Sequence, residues 1–139
     1  MKKFETDSIR KSNIDLAEVR NIVFHLRDAE DEHLWIVLSD TSKKNPNYAQ
    51  ATLIDEDHVK VAAEYIHKYF DIRAANEIPY LFEARFYQGD DFTHYRAYFP
   101  EPSPIVELFE RYANDTLTPS ETWLDVTEEF LEEDEDDGN

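Results

Sequence analysis

The chain has 139 residues, no cysteine and 14% aromatic residues, which favours a packed domain in a reducing compartment and excludes disulfides and thiolate metal sites. Fourteen basic residues against 32 acidic ones give a formal net charge of −18, which argues against direct binding of nucleic acid or of an anionic membrane. No apolar run follows the basic residues of the N-terminus, and none is long enough to span a bilayer, so we expect a cytoplasmic protein.

The first half of the chain predicts three strands and then a helix. Residues 14–19 fit either a short helix or the lead-in to a strand, and we interpret residues 20–26 as a strand because β-branched and aromatic residues are enriched there. The continuous apolar run at residues 33–39 is typical of a strand buried on both faces, and it completes a hairpin with the first strand. Alternation over residues 48–54 predicts a third strand, and Asp55 then caps an amphipathic helix of about four turns.

The clearest hairpin joins residues 78–87 to residues 92–99 through a polar loop that contains a glycine. The register that pairs the residues flanking this loop places Glu83 opposite Arg96, where opposite charges attract each other directly. Three prolines then end the sheet, and Ser103 is the predicted cap of a second helix.

A third helix is predicted at the C-terminal end. Thr118 suits the N-cap, Pro119 suits the first helical position, and Glu121 supplies the return bond of a capping box. An apolar stripe follows at helical spacing: Trp123, Leu124, Thr127, Phe130 and Leu131. From residue 132 onward the run EEDEDDGN has no apolar residue to bury, so we expect it to be solvated and mobile.

This order of elements predicts a single α+β domain over residues 1–131. Two hairpins and a fifth strand form a mostly antiparallel sheet, and the three helices pack on it. Residues 132–139 are predicted to form an acidic flexible tail outside that domain.

The negative charge is concentrated toward the C-terminus, because eleven acids and no Lys or Arg follow Arg111. We predict that exposed acids attract a basic protein surface by charge-assisted hydrogen bonds, with Trp123 as an aromatic anchor. The acids predicted to bind the partner are Asp28, Glu30, Asp31, Asp55, Glu56, Asp57, Asp125, Glu128, Glu129, Glu132, Glu133 and Asp134. In the alternative interpretation these residues have structural roles. The tail then only keeps the protein in solution, residues 55–57 begin a helix, and the aromatic residues belong to the core.

A second candidate site is the polar face of the hairpin at residues 78–99. Its members are Glu83, Arg85, Tyr87, His94, Arg96 and Tyr98. A histidine beside a carboxylate and two arginines suits acid–base or phosphoryl chemistry, whereas the structural alternative is a solvent-facing side with ordinary cross-strand pairs. The chain has two glycines and therefore no glycine-rich phosphate loop, and its five histidines lack metal-ligand spacing, so we predict no cofactor and no metal.

Small, cysteine-free and strongly acidic domains include toxin immunity proteins and phage DNA-mimic inhibitors, which this chain resembles in composition alone. The likeness implies no residue roles. It favours a non-enzymatic inhibitor that occludes a basic, nucleic-acid-acting protein such as a toxin, nuclease, polymerase or restriction enzyme. The alternatives are an accessory protein of nucleic-acid metabolism that recruits partners through its acidic tail, and a small enzyme that uses Glu83, His94 and Arg96. The sequence does not indicate an oligomeric state.

Overall fold

A computed structural model describes six segments of the chain: residues 2–6, 10–11, 13–26, 35–40, 46–70 and 78–131. The strands of this part are β1 (Lys2–Thr6), β2 (Arg10–Lys11), β3 (Trp35–Asp40), β4 (Tyr48–Leu53), β5 (Tyr80–Gln88), β6 (Asp91–Phe99) and β7 (Leu124–Asp125). Its helices are α1 (Leu16–Phe24), α2 (Val59–Phe70), which follows a 3-10 turn (Glu56–His58), α3 (Ser103–Ala113), and α4, which begins at Thr127 and is described as far as residue 131. The predicted α+β class is therefore confirmed, with four helices in the described part where three were expected. No helix in these six segments is long and apolar enough to cross a membrane.

The seven strands lie in one antiparallel sheet with the order β2-β1-β3-β4-β5-β6-β7. Successive side chains of a strand point to opposite faces of a sheet. The face that we name the helical face buries the row Phe4, Leu38, Ala49 and Ala84. Helix α3 covers this face, because Phe109 packs against Phe82 with ring centroids 6.0 Å apart, and α1 packs beside α3. Helix α2 packs against the end of β6, where its Tyr65 contacts Tyr98. The side chains that alternate with the core residues point to the other side, which we name the open face.

The N-terminal part of the fold differs from the prediction. Residues 20–26 are not a strand, because α1 runs through residues 20–24 and Asp15 caps it by accepting two first-turn amides. Val19, Ile22 and Val23 recur at helical spacing and are buried. The predicted first hairpin is therefore wrong, and β3 pairs instead with β1 and β4.

Strand β3 is not buried on both faces as expected. Ile36 and Leu38 lie in the core, whereas Trp35 and Val37 point to the open face and are half-buried. Strands β1, β2 and β7 have no counterpart among the predicted strands, because two of them have only two residues and β1 has a single large apolar side chain, Phe4.

The second hairpin is confirmed together with its register. Strands β5 and β6 pair Glu83 with Arg96, and the residues that flank the loop are paired as well. Gly89 in the loop has a φ of 67°, a left-handed conformation that costs glycine little. Strand β4, helix α2 and helix α3 also lie where they were expected, and Asp55 caps the 3-10 turn by accepting the Asp57 amide at 3.1 Å. Ser103 is not the cap that was predicted for α3, because it is the first residue of that helix and the cap position is Pro102, without a side-chain hydrogen bond.

The C-terminal helix begins later than predicted. Thr118 and Glu121 lie in an irregular segment, the chain then adds β7 to the edge of β6, and α4 begins at Thr127. The cap is Asp125, whose carboxylate accepts hydrogen bonds from the amide and the hydroxyl of Thr127 at 3.0 and 2.6 Å. The predicted capping box at Thr118 is therefore wrong. The predicted acidic tail, residues 132–139, lies outside the described segments.

The packing of Trp123 explains this late start. Its ring lies in the core, with centroid distances of 5.5 Å to Phe82 and 6.0 Å to Tyr95. Phe130 lies on the open face, against His94. A continuous helix from residue 118 would place Trp123 and Phe130 on the same side of that helix. The two rings lie on opposite faces of the sheet, so the chain instead passes the sheet edge as β7 between them.

Candidate functional site

The open face presents three rows of side chains that run across the sheet. The first row is Trp35, Thr52, Leu81 and Tyr98; the second is Glu5, Val37, Gln50, Glu83 and Arg96; the third is Lys3, Ser39, Tyr48, Arg85 and His94. The polar hairpin face predicted from the sequence is therefore one end of a larger surface. Strands β3 and β4 extend that surface, and β3 adds the apolar side chains of Trp35 and Val37.

Glu83 and His94 form a buried pair at the centre of the hairpin. The Oε2 atom of Glu83 lies 2.7 Å from Nε2 of His94, and Nε of Arg85 donates to Nδ1 of His94 at 3.0 Å. Because a guanidinium has only donors, Nδ1 must accept, and the ring proton lies on Nε2, from which it is donated to Glu83. The predicted side chains do meet, but as a hydrogen-bonded network and not as a solvent-facing side.

Glu83 is held in its ionised form by its neighbours. Burial would raise its pKa, but the hydrogen bond from His94 and the positive charge of Arg96 outweigh burial, so the pKa lies below its ordinary value. Arg96 donates to Oε2 at 3.3 Å, and Gln50 donates to Oε1 at 3.2 Å. Within the described segments, Nε of Arg96 is buried with no hydrogen-bond partner.

Aromatic rings surround the guanidinium of Arg85. Its central carbon lies 3.9 Å from the ring centroid of Phe92, 4.8 Å from that of Phe130 and 5.5 Å from that of Tyr48. A cation over an aromatic face is attracted by the ring quadrupole. Arg85 therefore joins strands β4, β5 and β6 to helix α4.

Helix α4 covers His94. The His94 amide donates to Oγ1 of Thr127 at 2.9 Å, and its carbonyl accepts the amide of Val126 at 2.9 Å. The Phe130 ring then lies on the imidazole with centroids 4.2 Å apart. His94 consequently has no exposed surface, so a substrate can reach its ring only if α4 moves away. This arrangement favours a structural role for the Glu83–His94 pair over acid–base catalysis.

Two groups of exposed acids are each held at β6 by a neighbouring contact. The α2 acidic group is Asp55, Glu56 and Asp57, and the α4 acidic group is Glu128 and Glu129. Nδ1 of His58 lies 2.7 Å from the hydroxyl of Tyr98, which holds the α2 acidic group next to this strand. Arg96, two residues away on the same side of the strand, binds Glu129 at 3.1 Å and so holds the α4 acidic group. Acids that are about 70 residues apart in sequence are thereby tied to two positions of one strand, Tyr98 and Arg96.

The other predicted partner-binding residues have different positions. Asp125 is exposed, but its carboxylate caps α4, and the hydrogen bonds from Thr127 lower its pKa. Trp123 is only 9% exposed and belongs to the core, so it does not lie on the partner-binding surface that was predicted for it. The predicted residues that lie outside the described segments are Asp28, Glu30, Asp31, Glu132, Glu133 and Asp134.

A groove of about 210 Å³ crosses the open face between β3 and β5. Its lining is Trp35, Val37, Gln50, Ala51, Thr52, Leu81 and Glu83. The alternation of apolar and polar residues could have indicated Gln50 and Thr52, but the apolar run of β3 concealed that Trp35 and Val37 share their side of the sheet. The groove is therefore a feature that sequence reasoning missed.

A larger cavity, of about 460 Å³, lies where β1 and β4 begin. Four of its lining residues pair with one another: Lys2 binds Asp115 at 2.8 Å, and the Tyr112 hydroxyl donates to the Asn47 carbonyl at 2.7 Å. Burial raises the pKa of Tyr112, so this hydroxyl stays a donor. These two pairs hold β1 and the residue before β4 to α3 and to the segment after it.

Comparison of the chain with protein-family models, with curated proteins and with solved structures gave no match. Across the described segments, no group of three or more His, Asp or Glu side chains could hold a metal ion. A function can therefore be inferred only from the geometry of the open face and from the charge of the chain.

Proposed function

We propose that the protein is an inhibitor or immunity-type protein that binds a basic, nucleic-acid-acting protein on its open face and occludes the site of that partner. The observation that carries the proposal is that the α2 and α4 acidic groups are both attached to β6, through Tyr98 and Arg96. Next to them the open face offers Trp35, Val37 and Leu81, which are half-buried. An apolar centre with a charged rim is the usual anatomy of a protein interface.

The charge of the chain suits a basic partner. A net charge of −18 repels phosphates and attracts cationic surfaces. Carboxylates on a rigid surface can bind the Arg and Lys side chains that otherwise hold nucleic acid phosphates. Association with such a partner should be fast and should weaken as salt is added, because exposed charges are screened.

The test begins with the full chain as bait in an extract of its native cell, at about 50 mM and about 300 mM salt. A retained basic protein is then purified, and two double variants are compared for association rate and for inhibition. The first variant, Glu56→Lys with Glu128→Lys, changes one residue in each acidic group. The matched control, Glu107→Lys with Glu110→Lys, makes the same charge change at exposed positions of α3 on the helical face.

Compared with the unchanged protein, we expect the variant with Glu56→Lys and Glu128→Lys to associate with the partner on the order of 10-fold more slowly. The control variant should associate less than about 2-fold more slowly. Equal losses in both variants would mean that net charge alone attracts the partner, and the proposed surface would then be wrong. If the extract contains no basic protein that is retained at low salt, the proposed function itself fails.

A further inference from the structure

The groove on the open face has the size of one side chain. Strands β3 and β5 each contribute two residues and β4 contributes three, and the groove holds about 210 Å³. Pockets that bury a whole small-molecule ligand hold roughly 300–1,000 Å³. The groove is therefore too small for a nucleotide or a helix, but it is large enough for one long side chain.

The walls and the polar end of the groove differ in chemistry. Trp35, Val37 and Leu81 supply apolar walls, and Glu83 with Gln50 supplies the polar end. The Oε2 atom of Glu83 already accepts from His94 and Arg96, but among the described residues its Oε1 atom accepts only from Gln50, which leaves a site for one further donor. Gln50 donates through Nε2, which leaves its amide oxygen as an acceptor beside the carboxylate.

A side chain with an aliphatic stem and a donating cation at its tip matches both regions. Arg and Lys have such stems and lay them along apolar surfaces. The planar guanidinium of Arg can also donate to two acceptors at once and stack on an aromatic ring such as that of Trp35. Neither Arg85 nor Arg96 is among the described residues that line the groove. The charge of Arg96 is already balanced by Glu83 and Glu129.

We propose that the groove receives one arginine side chain of the basic partner, with its stem between Trp35, Val37 and Leu81 and its guanidinium at Glu83 and Gln50. This inference rests on the proposed function, because it identifies the arginine as part of the basic partner. A carboxylate in the groove would be repelled by Glu83, and an apolar side chain would give Glu83 no donor.

The test titrates the ¹⁵N-labelled full chain with three capped amino acids: N-acetyl-arginine amide, N-acetyl-citrulline amide and N-acetyl-norleucine amide. Citrulline keeps the shape of arginine without its charge, and norleucine keeps only the stem. We expect the arginine probe to shift the Trp35 indole and the Gln50 side-chain amide, with a dissociation constant on the order of 1 mM. The two neutral probes should bind at least about 10-fold more weakly.

Two variants test whether the arginine probe binds in the groove. Trp35→Ala should abolish the saturable shift of the Gln50 amide, whereas Tyr69→Ala, which removes an exposed ring of α2 outside the groove, should leave it unchanged. Equal binding of citrulline or norleucine would show that the groove selects shape alone, and this would overturn the inference. The absence of a saturable shift would overturn it too.

The same variants separate this inference from the proposed function. If a basic partner binds and depends on the two acidic groups, but Trp35→Ala leaves its affinity unchanged, the arginine site is wrong and the proposed function stands. If no basic partner exists, the arginine probe can still bind, and the groove is then a cation site without the proposed function.

Discussion

Replacing Glu83 with alanine removes the one carboxylate to which His94, Arg96 and Gln50 all donate. His94 is then left with a fully buried N–H that has lost its acceptor, which by itself costs about 1–3 kcal/mol. Arg96 keeps Glu129, and Gln50 can turn to water, so these two losses are smaller. Breaking a buried ionic pair from one side generally costs about 3–5 kcal/mol, and we expect Glu83→Ala to lower the free energy of unfolding by roughly 3 kcal/mol.

The measurement is urea unfolding followed by tryptophan fluorescence, with the free energy extrapolated linearly to water. Glu83→Gln is the conservative variant: it keeps an oxygen acceptor for His94 but loses the charge, and we expect a loss of about 1–2 kcal/mol. The control Glu107→Ala, at an exposed position of α3, should stay within about 0.5 kcal/mol of the unchanged protein. A loss below about 1 kcal/mol for Glu83→Ala would refute the reasoning, because the network would then contribute little to the folded state.

Three further predictions concern Glu83, Phe130 and residues 132–139. Folding lowers the pKa of Glu83 from its ordinary value of 4.5. The unchanged protein should therefore be more stable than Glu83→Gln, and the full difference should be present about one pH unit or more above 4.5. The advantage should be lost as the pH falls through 4.5 toward that lower folded-state pKa; urea unfolding at several pH values measures it, and a constant difference would contradict it. Phe130→Ala should expose the His94 ring, so that diethyl pyrocarbonate modifies it at least about 10-fold faster than in the unchanged protein, while Tyr69→Ala should give no such increase. Removal of residues 132–139 should leave most partner affinity intact if the open face binds the partner, whereas complete loss would favour the accessory protein with a recruiting tail.

The part of the fold that could be predicted is the part whose signals are local. The loop between β5 and β6 and the opposite charges of Glu83 and Arg96 define that hairpin and its register. The cap at Asp55 and the apolar spacing after it define α2 in the same way. In each case the partners lie within about twenty residues of each other, so no distant contact has to be known.

The elements that could not be predicted depend on distant contacts. Residues 20–26 contain β-branched and aromatic residues that are typical of a strand, but the cap at Asp15 and packing against α3 make residues 20–24 helical. Strand β1 carries one large apolar residue, Phe4, and its place depends on pairing with β3. The pattern at Thr118 fits a capping box, yet the burial of Trp123 in the core decides the local path.

The residues of the hairpin site were predicted from the sequence, but their burial and the residues that cover them were not. Alternation along β5 and β6 indicates that Glu83, Arg85, His94 and Arg96 share a face, and their contacts confirm it. Alternation cannot indicate that Phe130, which comes more than thirty residues later, covers His94. The burial of this network and the groove beside it both arise from tertiary packing, which the local pattern does not contain.

The two outermost strands of the sheet, β2 and β7, have only two residues each. At either outermost strand, main-chain pairing with a neighbouring copy is limited to two residues, and at β2 such a copy would also meet the exposed charges of Arg10 and Lys11. Short edge strands and edge charges are means by which proteins discourage edge-to-edge aggregation. Edges of this kind would suit the proposed inhibitor, because a protein that acts by stoichiometric binding must be kept in excess over its target without pairing with itself.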